Sequence, residues 1–195
     1  SINSKLTGEF NAENILCSIS VSIAMGVDSD RIKKGIERAS NVAGRMELFK
    51  TKESKLILID YAHTPDAYKK VLSMLNQYIS DKNKVFVVFG CGGDRDKSKR
   101  SEMGSIAEAY STKIYLTPDN PRNEEVDKIN SQIVSGFKRN NYEINNDRGK
   151  AIAKAIKEME SGDLLALLGK GRENFQNIKG EKIPYSDFNI IQSYL

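Results

Sequence analysis

A chain of 195 residues, 39% of them hydrophobic, can bury a core and form one or two domains, and 30 basic against 26 acidic side chains leave a net charge of only +4. The signs are interspersed, which argues against a nucleic-acid stripe, and no apolar run of about 18 residues or export signal points to a membrane. The two cysteines, Cys17 and Cys91, have neither metal-ligand nor C-x-x-C spacing and fit reduced thiols in a cytoplasm.

Along the chain, Asn11 to Met25 places Ile15, Ile19, Ser22 and Ile23 on one helical face, and Ser29 can cap a second helix running through Arg38. Asn41-Val42-Ala43-Gly44 then reads as a hinge. Beyond it, strands are expected near 56–60, 84–89, 113–116, 141–144 and 163–168, alternating with helices near 65–79, 100–110, 124–137 and 147–159. That alternation predicts an α/β fold, a Rossmann-like doubly wound and mostly parallel sheet preceded by two helices. Lys179-Gly180-Glu181 marks a C-terminal hairpin between Phe175 and Tyr185, and Ser186 can cap a last helix ending at Leu195.

The strand ends carry the chemistry. Leu56 to Asp60 leads into Tyr61-Ala62-His63-Thr64-Pro65-Asp66, with Thr64 as helix N-cap and Pro65 at the first helical position. Lys84 to Gly90 opens into Cys91-Gly92-Gly93-Asp94-Arg95-Asp96-Lys97, a glycine-rich turn of the kind that cradles anions. Asp163 to Leu168 ends in Gly169-Lys170-Gly171-Arg172-Glu173-Asn174, where Lys170 either reaches a phosphate or is solvated. Between them stands Thr117-Pro118-Asp119-Asn120-Pro121-Arg122, in which two prolines forbid regular structure around an Asp-Asn pair and hold an arginine at the mouth of the sheet. It reads either as a turn with a solvated arginine or as a carboxylate reader, since the planar guanidinium grips a carboxylate with two parallel hydrogen bonds. In a parallel sheet all four loops face one crevice.

Gly44-Arg45-Met46-Glu47, Asp60-Tyr61-Ala62-His63-Thr64-Pro65-Asp66-Ala67, Gly90-Cys91-Gly92-Gly93-Asp94-Arg95-Asp96, Asp119-Asn120-Pro121-Arg122, and Gly169-Lys170-Gly171 followed by Glu173 together resemble the Mur ligases, in family order from about Leu6 to Tyr185. They are most similar to the members that join meso-diaminopimelate to UDP-N-acetylmuramoyl-L-alanyl-D-glutamate in peptidoglycan synthesis. The resemblance implies residues 1–43 as the end of a central ATPase domain and 44–195 as the C-terminal domain. It implies ATP and Mg2+ as cofactors, with the Mg2+ ligands in the rest of the central domain, and a diamino acid, the UDP-muramoyl dipeptide and the remainder of the ligase chain as partners. On the amino-acid side it implies that Arg122 and Asn120 hold the distal carboxylate, Arg95 a carboxylate, and Glu173 with Gly169 the distal ammonium. On the nucleotide side it implies that Asn14 contacts adenine, Arg45 the ATP phosphates, Asp60 the ribose hydroxyls and His63 the nucleotide or its neighbourhood. Bland alternatives stand beside these: a loop ion pair for Arg95 and Glu173, a helix hydrogen bond for Asn14, a capping carboxylate for Asp60 and a structural hydrogen bond for the lone histidine. At Arg172 the related enzymes usually carry histidine, and an added charge there could weaken the hold of Glu173 on an ammonium.

The sequence has no G-x-x-x-x-G-K-[ST] phosphate loop, so the chain is expected to be a C-terminal portion that is inactive when isolated. Two other classes are weighed: a non-catalytic module binding a small zwitterion, and a dinucleotide-dependent oxidoreductase. Against the latter, the turn after the apolar strand, Gly90-Cys91-Gly92-Gly93-Asp94-Arg95, lacks the third glycine of G-x-G-x-x-G. Meso-lanthionine or another diamino acid remains the alternative substrate.

Overall fold

A computed structural model describes residues 1–6 and 8–195. They divide into two compact units, Ser1–Val42 and Ala43–Leu195. The first holds helices α1 (Glu9–Ala24) and α2 (Ser29–Arg38). The cap of α2 is Asp28 rather than the expected Ser29: its carboxylate accepts from the amides of Asp30 (2.9 Å) and Arg31 (3.3 Å), and an ionised acceptor at the positive end of a helix outcompetes a hydroxyl. Of the apolar face expected on α1, Ile15, Ile19 and Ser22 are half-buried, while Ile23 is 62% exposed and Leu16 beside it 63%.

The second unit is built on a six-stranded sheet in the order β1-β2-β6-β3-β4-β5. The strands are β1 (Glu47–Lys50), β2 (Leu56–Asp60), β3 (Val85–Phe89), β4 (Lys113–Leu116), β5 (Tyr142–Ile144) and β6 (Leu164–Leu168). All pairings are parallel except β1 with β2. The sequence reading missed β1, whose four residues alternate half-buried and exposed at the sheet edge and carry no turn signal of their own. Strands β3 and β6 are wholly buried, as expected of apolar runs covered on both faces.

Helices α3 (Pro65–Tyr78), α4 (Lys99–Tyr110), α5 (Val126–Val134) and α6 (Arg148–Glu158) connect the strands, followed by the β7–β8 hairpin (Phe175–Ile178, Glu181–Pro184) and α7 (Asp187–Gln192). On one face Ile57, Ile59, Phe86, Val88, Leu165 and Leu167 pack with Ile152 and Ile156 of α6 and Ile191 of α7. On the other, the Tyr68 ring of α3 meets Phe89 edge-on, with centroids 5.4 Å apart. Thr64 caps α3 through the Ala67 amide (3.3 Å), with Pro65 in the first turn, and Ser186 caps α7 through Asn189. Helix α5 is shorter than expected at both ends. Glu124 is drawn off to Arg100, and the chain at Gly136 runs so near Ser101 that a Cβ would lie 1.8 Å from its carbonyl oxygen.

Beneath the end of β6 lies a fully buried ion pair. Arg148 donates from Nε (2.8 Å) and Nη2 (2.7 Å) to the two oxygens of Asp187, and from Nη2 to the Leu168 carbonyl (3.1 Å), while the Tyr185 hydroxyl donates to Asp187 (2.7 Å). The pair ties α6, α7 and the last residue of β6 at the point where the glycine-lysine loop leaves the sheet. Removing one buried partner strands the other charge, so Asp187→Ala is expected to cost about 3–5 kcal/mol. Arg148→Met combined with Asp187→Leu, which strands no charge, should be less destabilised than Asp187→Ala when both are followed by denaturant unfolding.

Candidate functional site

The parallel register puts the C-terminal ends of β2, β6, β3 and β4 side by side, and the loops leaving them enclose a crevice of ≈ 390 Å³. The first loop contributes Tyr61 and His63, the second Gly92, Arg95, Asp96 and Lys99, the third Asp119, Asn120 and Arg122, and the fourth Gly169 and Glu173. Glycines let these loops touch. A Cβ at Gly93 would lie 1.8 Å from the Pro121 carbonyl oxygen, and Gly169, at φ +103°, would place one 2.6 Å from Asp119 Oδ2.

Arg122 sits at the crevice with a left-handed backbone, φ +50°. Its Nη1 donates to the Gly93 carbonyl (2.7 Å), and no carboxylate among the described residues pairs with it. Arg95 also lines the crevice, is exposed, and makes neither an ion pair nor a hydrogen bond among the described residues. The bland alternative of a loop ion pair is therefore absent for Arg95 among the described residues, whereas Glu173 forms one with Lys170. Glu173 is engaged elsewhere: its Oε2 accepts from Asn120 Nδ2 (2.9 Å) and from Lys170 Nζ (2.9 Å).

Lys170 is the residue that sequence reasoning left out. It is neither solvated nor free: its side chain is 0% exposed, and its ammonium bridges Glu173 and Asn120 Oδ1 (3.2 Å) under the Tyr185 ring. Asp119 was likewise passed over as a turn residue. It is buried beside Gly169 and lines the crevice, and no donor among the described residues reaches its carboxylate. Burial holds that carboxyl above the usual carboxylate range, opposed by the nearby charges of Lys170 and Arg148. The consequence is electrostatic. Lys170 offsets Glu173, so a negative balance able to hold an ammonium at this end depends on Asp119, and an arriving cation would favour its ionised form.

Cys91, in the crevice floor, is buried, with Sγ 3.9 Å from Met103 Sδ, and burial pushes its thiol up to about 12. Lys99 ties the second loop to the first by donating to the His63 carbonyl (2.9 Å). The His63 Nδ1 lies 2.9 Å from the Tyr61 carbonyl oxygen, and its ring meets Tyr61 edge-on.

A shallower recess of ≈ 280 Å³ adjoins, lined by Gly44, Arg45, Arg172 and Lys170 and sharing Tyr61 and Glu173 with the crevice. The Arg45 guanidinium lies 4.6 Å from the Tyr61 ring centre. Asp60 is 6% exposed and uses both oxygens on backbone amides, Met46 (2.8 Å) and Ala62 (2.7 Å), so it anchors the turn that carries Arg45. Asn14 is exposed on α1 in the first unit, where its Nδ2 donates to Asn11 Oδ1 (3.2 Å). Arg172 pairs away from Glu173. It grips Glu47 with two hydrogen bonds (2.7 and 2.6 Å) and stacks on Phe188, 3.4 Å from the ring centre. Glu47 also accepts from the Gly44 amide (2.8 Å), so the loading of Glu173 expected from this extra charge is diverted.

The fold is a doubly wound α/β domain with a crevice lined by charged side chains at the carboxyl edge of its sheet. Residues 44–171 match the model of the Mur ligase glutamate ligase domain, and the chain belongs to the Mur ligase family. It is 42% identical over 194 residues to a protein of Aquifex aeolicus named UDP-N-acetylmuramoyl-L-alanyl-D-glutamate–2,6-diaminopimelate ligase, covering 99% of this chain and 39% of that protein. A solved structure of a ligase of the same name superposes with a TM-score of 0.73 at 33% identity, over 99% of this chain and 39% of its own. A UDP-N-acetylmuramate-alanine ligase of Thermotoga maritima shares the fold, with a TM-score of 0.65 at 18% identity over 86% of this chain and 36% of its own. The chain thus spans about 39% of the length of the curated relative it matches.

The Glu47–Arg172 pair gives a pH signature. Its hydrogen bonds to Arg172 hold Glu47 below its ordinary value of 4.5, so the pairing stabilises fully above that value and is lost as pH falls through the lower folded one. Arg172→Met should cost about 1–2 kcal/mol near neutrality. The gap to the unaltered chain, measured by denaturant unfolding, should be largest above pH 4.5 and shrink steadily as pH falls below it.

Proposed function

We propose that this chain is the C-terminal part of an ATP-dependent ligase that adds meso-diaminopimelate to UDP-N-acetylmuramoyl-L-alanyl-D-glutamate during peptidoglycan synthesis in the cytoplasm. The names of its relatives support the reaction, and one observation carries the substrate: Arg122, with no carboxylate of its own, shares a crevice with a Glu173–Lys170–Asp119 cluster. An arginine and acids lining the same crevice suit an amino acid bearing both charges on its distal carbon.

In this reading residues 1–43 close the central domain and 44–195 form the C-terminal one. The apolar residues Leu16, Val21 and Ile23, exposed on α1, fit burial against more of that central domain. ATP would phosphorylate the D-glutamyl carboxylate, and the incoming amine would displace phosphate to form the amide. Arg122 and Asn120 would take the distal carboxylate, Arg95 the other, and Glu173 with the Gly169 carbonyl, backed by Asp119, the distal ammonium. Such a grip contributes positioning, which can supply much of the barrier reduction. Arg45, presented beside the Gly44 amide in the shallow recess, fits an ATP phosphate, and His63 its surroundings. Asn14 would meet the adenine, and Asp60, already bound to two amides, would act on the nucleotide through the Arg45 turn. Among the described residues no group of three or more His, Cys, Asp or Glu could hold a metal ion, and the Mg2+ ligands would lie in the rest of the central domain.

L-Lysine would leave the half-buried Arg122 facing no carboxylate, a penalty larger than a lost contact. In the complete ligase, meso-diaminopimelate should be preferred over L-lysine by roughly 10³-fold in kcat/KM. Arg122→Ala should cost about 2–4 kcal/mol in transition-state stabilisation with meso-diaminopimelate, with a smaller loss for lysine. Meso-lanthionine, which keeps both charged ends, should be the nearest competitor. Equal use of lysine and meso-diaminopimelate in competition would overturn the assignment.

A further inference from the structure

The β7–β8 hairpin forms a sheet of its own, outside the six-stranded one, and every residue of β8 is exposed. Two strands alone are marginally stable in water, so the hairpin needs a partner. Its hydrogen bonds show what that partner is. Gln176 Nε2 donates to the carbonyls of Pro118 (3.0 Å) and Asp119 (3.1 Å), and the Asn177 amide donates to Asn120 Oδ1 (2.8 Å). The Arg122 amide donates to the Asn177 carbonyl (2.9 Å), and the Lys179 amide donates to the Arg122 carbonyl (2.7 Å).

These contacts answer a deficit written into the segment from Thr117 to Arg122. With proline at 118 and 121 it lacks two backbone donors, and it must hold a non-glycine residue at φ +50°. A left-handed arginine persists only where its surroundings over-determine it. Here both peptide groups of Arg122 are fixed by the hairpin, and the two carbonyls upstream are fixed by one carboxamide whose two N–H bonds match two acceptors.

We infer that the β7–β8 hairpin is the strut that sets substrate discrimination, and that Gln176 is its positioning residue. Gln176 does not line the crevice and acts only through the segment that carries Asn120 and Arg122. The inference rests on the reading that Arg122 takes the distal carboxylate. A bidentate grip tolerates only about half an ångström of error, so loosening this segment degrades recognition of the amino acid while leaving the Arg45 recess intact.

The test uses the complete ligase. Gln176→Met keeps the length of the side chain and removes both donors. It should raise KM for meso-diaminopimelate about tenfold or more and shrink the preference over L-lysine by a similar factor, with KM for ATP within about twofold. Gln176→Lys, which restores a multiple donor, should recover most of the discrimination, and it carries the test alone should the Met variant fail to fold. A folded Gln176→Met enzyme with unchanged KM and preference overturns the strut, as does a parallel loss for ATP and amino acid, or a Lys variant as indiscriminate as lost donors would make it. A wild-type enzyme that does not prefer meso-diaminopimelate instead overturns the substrate reading, and the strut with it, before any variant is compared.

Discussion

The site depends on one buried ammonium. Lys170, without solvent contact, joins the loop after β6 to the loop after β4 through Glu173 and Asn120, and Asn120 in turn receives the hairpin through the Asn177 amide. A charge of this kind is tolerated only because each of its acceptors is itself held, so the geometry of three chain segments is set together. It also fixes the orientation of the Asn120 carboxamide, whose oxygen accepts from Lys170 and whose nitrogen donates to Glu173. The negative charge available to a ligand is therefore not simply that of Glu173, as the charge pattern of the loop suggests, but the balance of Glu173 and Lys170 with Asp119, whose carboxylate no donor among the described residues reaches.

Around this centre the fold places two supports of different kinds. Below it, Arg148 and Asp187 clamp the end of β6 to the C-terminal helix by fully buried hydrogen bonds. Beside it, Glu47 holds Gly44 with one oxygen and shares Arg172 with both, so the loop that presents Arg45 is tied to the same glycine-lysine turn that presents Glu173. The crevice and the shallow recess then share Tyr61 and Glu173 as a common wall. Two charged ligands set on either side of that wall would be held at neighbouring positions, the requirement for joining an acyl group activated on one side to an amine held on the other.

The strands that make the sheet were legible because their apolar runs are unbroken and their ends are marked by glycine, proline and capping residues. The Thr64-Pro65 start of α3 and the Lys179-Gly180 turn of the hairpin were legible for the same reason. Strand β1 was not, since Glu-Leu-Phe-Lys is short, amphipathic and unpunctuated, and becomes a strand only by pairing with β2. Nor could spacing decide which of several charged residues is buried. Lys170 and Arg172 flank one glycine, yet one points to the centre and the other out to Glu47 and Phe188. The signal that could have singled out Lys170 was its place directly after a wholly apolar strand, one residue beyond a glycine, where the chain is still inside the sheet layer. The convergence of Arg95, Asn120, Arg122, Gly169 and Glu173 on one crevice follows from parallel topology, whereas Asn14 belongs to a separate unit, and Asp60 proves to be an anchor for backbone amides.

The most direct measurement is a crystal structure of the complete ligase with meso-diaminopimelate bound. The distal carboxylate should lie on the Arg122 guanidinium, and the distal ammonium between Glu173 and Asp119, each within about 3 Å. A ligand bound in the crevice with its ammonium end towards Arg122, or bound outside the four loops altogether, would contradict this arrangement.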